Sequence, residues 1–480
     1  MNDREALTAP ADLESEVAAH TSPARARLEL VVVGLGALVV SLSQSVLIPV
    51  LSVLPADLDT SASNVSWLLT STLLVAAVAV PIMGRLGDMY GKRLMLLVAL
   101  AALIVGSLIT ALTSNVPLLI VGRAIQGISA AAIPLGISLL ATVMPRERVS
   151  SAIALVSAML GIGGALGLPL AGFVAEHADF HALFWITSVA GALAFVGILT
   201  IVPEAPSRSG GRVDVVGGVL LAASLVTLLL PLTQSATWGW GDPRVAGLLV
   251  ASAVLFVVFG WSQVRIHDPL VDLQALRRKP IVLTNLASIL FGFALFASFI
   301  GTASYVEAPE ASGYGFGSSL LVGGLAMLPS GLAMLFFSPV AARLIEKRGA
   351  PQTLAIGAVV VAAGWLMRIV VTDSLWQVIV GATVVGVGTG IGYAALPSLI
   401  NTHTPPSEIA AANGLNSLFR SLGSSLASAV GGSILAANTV ILGEFAVPSL
   451  TAYRELFALC AGASVLTALI VLLIPHRRTV

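Results

Sequence analysis

GRLGDMYGKR, residues 84–93, lies between two long apolar runs and packs Arg85, Asp88, Lys92 and Arg93 into ten positions. The flanking runs are long enough to be membrane-spanning helices. A turn this polar between them is expected to lie in water or among lipid headgroups. Gly84 and Gly91 suit close packing and a turn with positive φ. Asp88 precedes the next helix, whose N-terminal dipole end attracts a carboxylate.

The rest of the chain has the composition that such a turn requires. Of 480 residues, 57% are hydrophobic and 10% are charged, against roughly 25% charged residues in an ordinary soluble domain. Mean hydropathy is +0.98. So little charge does not cover a water-facing surface, and the runs lack the alternation of barrel strands. The expected class is therefore an all-α integral membrane protein. A net charge of zero gives no reason to expect a nucleic-acid partner. Cys460 is the only cysteine, so no internal disulfide is expected, and no His/Cys cluster has metal-site spacing. The sequence contains no nucleophile–base set and no phosphate-binding glycine loop, so neither an enzyme nor an ATP-driven machine is expected, and no cofactor. Residues 1–27 do not have the form of a secretory signal.

About fourteen spanning helices are expected, near 28–53, 65–83, 94–114, 116–143, 149–173, 181–202, 213–234, 245–266, 281–305, 317–342, 352–371, 375–401, 410–437 and 454–475. With the N-terminus inside, 19 Lys and Arg residues fall in inner tails and loops and only Arg244 and Arg454 in outer loops. Arg123, Arg368 and Arg420 fall within helices. That asymmetry places both termini in the cytoplasm.

The chain also repeats itself. Pro81, Arg85, Leu86, Asp88 and Gly91 return 258 positions later as Pro339, Arg343, Leu344, Glu346 and Gly349. Gly127, Ala131 and Pro134 return as Gly390, Ala394 and Pro397. Residues 84–93 resemble the signature loop between the second and third helices of major facilitator superfamily transporters. Gly84, Leu86, Asp88, Gly91, Lys92 and Arg93 stand at its pattern positions. From residue 28 to 475 the chain resembles the fourteen-helix drug:proton antiporters of that superfamily. The resemblance implies a cytoplasmic tail (1–27), a six-helix bundle (28–203), two inserted helices with linkers (204–280), a second six-helix bundle (281–475) and a short cytoplasmic tail (476–480). It also implies a monomer in a bacterial cell membrane, with parallel repeats rocking about a site near the midplane.

Polar residues in hydrocarbon are costly and mark candidate functional positions. Arg123, Gln126 and Gly127 resemble the fourth-helix motif of the family. Arg123 would tune an acid or join the proton path, or else snorkel to the outer interface. The fifth helix holds Gly161, Gly163, Gly164, Gly167, Pro169 and Gly172, resembling the antiporter motif, though Leu168 and Ala171 depart from it; generic glycine packing is the alternative. Ser43 and Gln44 stand where related antiporters place an aspartate, and bind substrate only by hydrogen bonds. No Asp or Glu sits at the centre of an expected helix, and Glu307, which closes the ninth, is either a proton site or a solvated loop acid. Asn413, Asn416 and Arg420 share a helical face by spacing, and Arg420 either lines a cavity or gate or snorkels to the cytoplasm. Arg368 is expected to snorkel, and Trp238, Trp240, Trp365 and Trp376 to form an aromatic belt.

By resemblance, Asp88 and its weaker counterpart Glu346, with Arg85, Lys92, Arg93 and Arg343, form a gate. The leading expectation is proton-driven export of amphipathic organic compounds, neutral or weakly cationic, with the two arginines leaving an anion open. Metabolite uptake by symport is the alternative within transport, and a non-transporting receptor on the same fold is the alternative outside it.

Overall fold

The structure, a computed structural model, describes residues 23–51, 53–206, 208–210, 212–442 and 445–474. The expected C-terminal tail and nearly all of the N-terminal tail lie outside these residues. Helices α1 (Ala24–Val50), α2 (Ala62–Tyr90), α3 (Lys92–Ala111), α4 (Val116–Val143), α5 (Arg146–His177) and α6 (His181–Ile201) form the first half. Two more follow, α7 (Val215–Trp238) and α8 (Pro243–Arg265). The second half holds α9 (Lys279–Glu307), α10 (Leu320–Arg348), α11 (Ala350–Val370), α12 (Leu375–Thr402), α13 (Ile409–Ala437) and α14 (Leu450–Leu472). Thirteen of these are long and apolar enough to cross a membrane. The fourteenth, α13, is equally long but rich in Asn, Ser and Gly, because it packs against other helices over most of its length.

The turns are written locally. Ser61, Asn115, Asp214, Asp242, Ser319 and Ser449 each accept a backbone N–H from the first turn of the helix they precede. These side chains satisfy donors that a helix start leaves unpaired. Gly91 and Gly349 end α2 and α10 with φ of 129° and 82°, so the sequence repeat is also a repeat of backbone conformation. A short antiparallel hairpin, β1 (Thr439–Leu442) with β2 (Phe445–Pro448), links α13 to α14. By sequence this segment is expected only as a loop between two helices.

One apolar cluster gathers buried residues of α1 to α6, and another those of α9 to α14. Helix α8 is the most peripheral, with 22% of its most apolar stretch buried. Val250, Val254, Val257, Trp261 and Val264 stay exposed on it. In a membrane that surface faces lipid, where apolar exposure carries no penalty. Helix α7 packs against α2 of the first half and α13 of the second. Its Leu221, Leu225, Leu229 and Leu232 share a cluster with Leu74, Ala77, Leu418 and Ala429.

Candidate functional site

The signature stretch is not a solvated turn. It is helical through Tyr90, and only Gly91 breaks the path into α3. Asp88 and Lys92 are fully buried, 3.2 Å apart. The carboxylate does face a helix start, but that of α13 rather than α3. Asp88 Oδ1 accepts from Ala410 N at 3.1 Å and Oδ2 from Ala411 N at 2.7 Å. Glu408, at the N-cap position of α13, makes no side-chain capping bond. A residue of the first half therefore caps a helix of the second. Lys92 Nζ balances the charge and donates to Pro406 O at 3.3 Å.

The close approach needs glycine. A Cβ on Gly84 would lie 2.6 Å from the Ala410 carbonyl oxygen, and one on Gly414 2.9 Å from that of Val80. The start of α3 is capped instead by Glu204, which accepts from Arg93 N at 2.9 Å and Leu94 N at 3.2 Å. In sequence Glu204 falls in the linker that follows the expected sixth helix. Arg93 also donates to Leu199 O, and Arg85 to Ser209 Oγ at 3.3 Å. In the second half, Arg343 and Glu346 extend α10 and are exposed. Among the described residues no hydrogen bond or ion pair ties either to the first half, so in this conformation the repeat of the motif does not repeat the clamp.

Between the halves lies a cavity of about 140 Å³. Its walls come from α1 (Ser41, Gln44, Ser45), α5 (Leu160, Gly164), α9 (Phe296, Phe299), α12 (Tyr393) and α13 (Ser417, Arg420, Ser424), with smaller parts of α2 and α4. Arg420 neither snorkels nor pairs with an acid. It lies 5.1 Å over the Tyr393 ring and donates to Ser417 Oγ at 3.2 Å. Ligand pockets run to roughly 300–1,000 Å³, so this cavity is contracted. Its seams are tight where α5 and α10 touch: a Cβ on Gly172 would lie 2.8 Å from the Leu321 backbone, and one on Gly324 2.5 Å from Pro169 N. Gly163 and Gly167 instead let α5 approach Leu38, Ser41 and Ser45 of α1. The glycines of α5 thus serve two faces, one within its half and one across the seam. A larger cleft, about 310 Å³, opens at the Asp88 end among Arg85, Asp268, Asp272 and Glu408.

Several expected site residues lie off the cavity. Arg123 is buried among α1, α2 and α4. It donates to Ser43 O at 3.2 Å, Leu68 O at 3.4 Å and Gln126 Oε1 at 2.7 Å. Gln126 passes the link to Ser107 Oγ at 2.6 Å, and Gly127 admits Thr72 O at 2.6 Å from its would-be Cβ. This is a brace for the first half, not an arginine reaching for the interface. Ser43 turns its hydroxyl to Val40 O at 2.8 Å and does not line the cavity. Asn416 binds Asn285 and Ser288 of α9 at 2.9 and 2.8 Å, and Asn413 binds Asn401 at 2.6 Å. The shared face thus divides among different neighbours.

Glu307 is half-buried at the end of α9 far from Asp88, its carboxylate filling the notch left by Gly323. Arg368 does not snorkel. It is 1% exposed and stacks between Trp365 and Phe457 at 4.8 and 4.3 Å. Trp365 is fully buried too, so it is not part of an aromatic belt. Glu29, in the second turn of α1, is buried beside Arg25 at 3.5 Å. In sequence it stands at the edge of an expected helix, where an acid gives no sign of burial.

Two halves closing over a shared cavity define a membrane transporter fold, and comparison with known proteins agrees. The profile of the Major Facilitator Superfamily matches residues 33–428 and 286–480. The chain belongs to the major facilitator superfamily. It is 29% identical over 418 residues to the Tetracenomycin C resistance and export protein of Streptomyces glaucescens, covering 85% of this chain and 76% of that one. It is 24% identical over 422 residues to Multidrug resistance protein 3 of Bacillus subtilis, covering 86% and 81%. Among solved structures it resembles the human organic anion transporter MFSD10, with TM-score 0.66, 16% identity and coverage of 94% and 100%. It also resembles the proton:xylose symporter XylE, with TM-score 0.64, 15% identity and coverage of 95% and 97%. At such identities the structural likeness speaks to the fold alone.

Proposed function

We propose that this chain is a proton-driven exporter of amphipathic organic compounds working by alternating access. The observation that carries the reading is the closed cavity walled by both halves, with Asp88 capping α13 across the seam. Opening the Asp88 end would break two charge-assisted hydrogen bonds, each worth about 1.5–3 kcal/mol, a barrier that substrate and proton binding can offset. The excess of basic residues in the expected inner loops supports a cytoplasmic position for the termini and the Asp88 end, in a bacterial cell membrane. The relatives named for drug resistance and antibiotic export support outward transport, and the family habit is a monomer of two six-helix bundles with an inserted pair.

The buried Glu29 and the half-buried Glu307, at the two ends, are the candidates for carrying the proton, since the cavity lining holds no carboxylate. The decisive experiment is transport into inverted membrane vesicles with and without a pH gradient. Accumulation that follows the gradient supports the reading. Accumulation indifferent to it, beside a working antiporter control, removes proton drive.

A further inference from the structure

The cavity says more about its cargo than that it is amphipathic. Its lining contains one cation, Arg420, and no carboxylate. Arg420 spends one nitrogen on Ser417 and lays its guanidinium over Tyr393. Among the described residues no hydrogen bond takes its Nε or its other terminal nitrogen, and the side chain is only partly buried. The free N–H directions of a guanidinium give charge-assisted hydrogen bonds to the oxygen of a carboxylate or phenolate. Across the cavity the Gln44 amide is likewise without a partner among the described residues.

The remaining groups favour flat rings. Phe296 and Phe299 on α9 and Tyr393 on α12 line the same space. Four of the five cavity serines spend their protons on backbone carbonyls: Ser41 on Leu160 O, Ser45 on Leu42 and Gly163 O, Ser421 on Ser417 O, and Ser424 on Gly292 and Arg420 O. They leave lone pairs toward the cargo and accept its hydroxyl protons. A lipophilic cation would meet an uncompensated arginine in a low-dielectric space, which is repulsive. A neutral ring would leave the free guanidinium edge unpaired, which costs when water is excluded.

We infer that the transported compound is an aromatic organic acid, bound as its anion at Arg420 with its rings against Phe296, Phe299 and Tyr393. The inference rests on the exporter reading for direction and energy source only. It carries an electrical consequence. Exchange of one entering proton for one leaving anion moves charge in the same sense twice, so the membrane potential drives export together with the pH gradient. Exchange of a proton for a monocation moves none.

Fluorescein and rhodamine 123 share a xanthene ring and differ in charge, which makes them a matched probe pair. Polarisation titrations on the purified full-length protein are expected to favour fluorescein. Arg420→Gln should weaken fluorescein binding roughly tenfold to a hundredfold, the value of a hydrogen bond to a charged group, and Arg420→Lys should restore part of it. Gln44→Leu, which leaves the arginine in place, should weaken it less. In inverted vesicles, fluorescein uptake should rise when a potassium–valinomycin potential, positive inside the vesicle, is imposed. Preference for rhodamine 123, equal binding of both dyes, or fluorescein binding unchanged in Arg420→Gln would each overturn the inference. Fluorescein transport indifferent to the proton gradient would remove the proton-driven reading and leave the cargo class standing.

Discussion

Asp88 of α2 and Ala411 of α13 stand 323 positions apart and are joined by a 2.7 Å hydrogen bond. The carboxylate does for α13 what that helix's own N-cap residue does not, and it does so from the opposite half. Closure of this end and completion of a helix terminus are thus one event.

Asp88→Asn follows from that geometry. An amide keeps one acceptor, loses the charge and leaves buried Lys92 without a counter-ion. The protein should fold and insert, because the helices remain, while the closed state loses about 1.5–3 kcal/mol per charge-assisted bond. Efflux should fall strongly at equal expression, and a reporter cysteine placed at the Asp88 end should label faster. Normal efflux by well-expressed protein would remove the clamp.

Gly84→Val addresses the same seam without touching charge. A Cβ at 2.6 Å from Ala410 O lies inside contact distance on backbone that does not yield. The variant should resemble Asp88→Asn in efflux and labelling. If it transports normally, the α2–α13 approach is looser than this packing.

Glu204→Gln separates local capping from gating. Its carboxylate serves two backbone N–H groups at the start of α3 and lies against Gly91. Loss of its charge should cost about 0.5–2 kcal/mol, the range of a helix cap, seen as a lower thermal midpoint in detergent. Efflux per folded molecule should stay near wild type. A collapse of efflux with an unchanged midpoint would show that Glu204 belongs to the gate.

Arg123→Lys weakens the brace of the first half. An ammonium lacks the planar fork that reaches Ser43 O, Leu68 O and Gln126 together. The expected result is a destabilisation of about 1–3 kcal/mol from buried groups left unpaired. Preference between anionic and cationic dyes should not change, since Arg123 lies off the cavity lining. A changed preference would bring Arg123 back to the transport path.

The helices and the family were legible because hydrocarbon imposes length, and because the Gly84–Arg93 motif is specific between two spanning runs. The partner of Asp88 was half legible: a carboxylate before a helix start was readable, but which start required the packing of α2 on α13. Arg368 and Trp365 misled for a related reason. Their position near a helix end matches interface residues, and only the third dimension puts Phe457 over them. Asn413, Asn416 and Arg420 share a face by spacing, yet a buried helix has neighbours all round, so spacing alone does not assign a destination. Glu204 carried a weak signal, an acid just before the return to an apolar bundle, but its capped helix lies more than a hundred residues earlier.

Helix α7 leans on α2 and α13 together, with Gln234 Nε2 donating to Thr70 Oγ1 at 3.3 Å inside the apolar layer. For a compound dissolved in the bilayer, α7 therefore screens the flank where α2 and α13 meet. The opposite flank is shut by the close packing of α5 on α10, so the open approach in this conformation is the cleft beside Asp88. The inserted pair makes the two sides of an otherwise two-fold molecule unequal to the membrane around it.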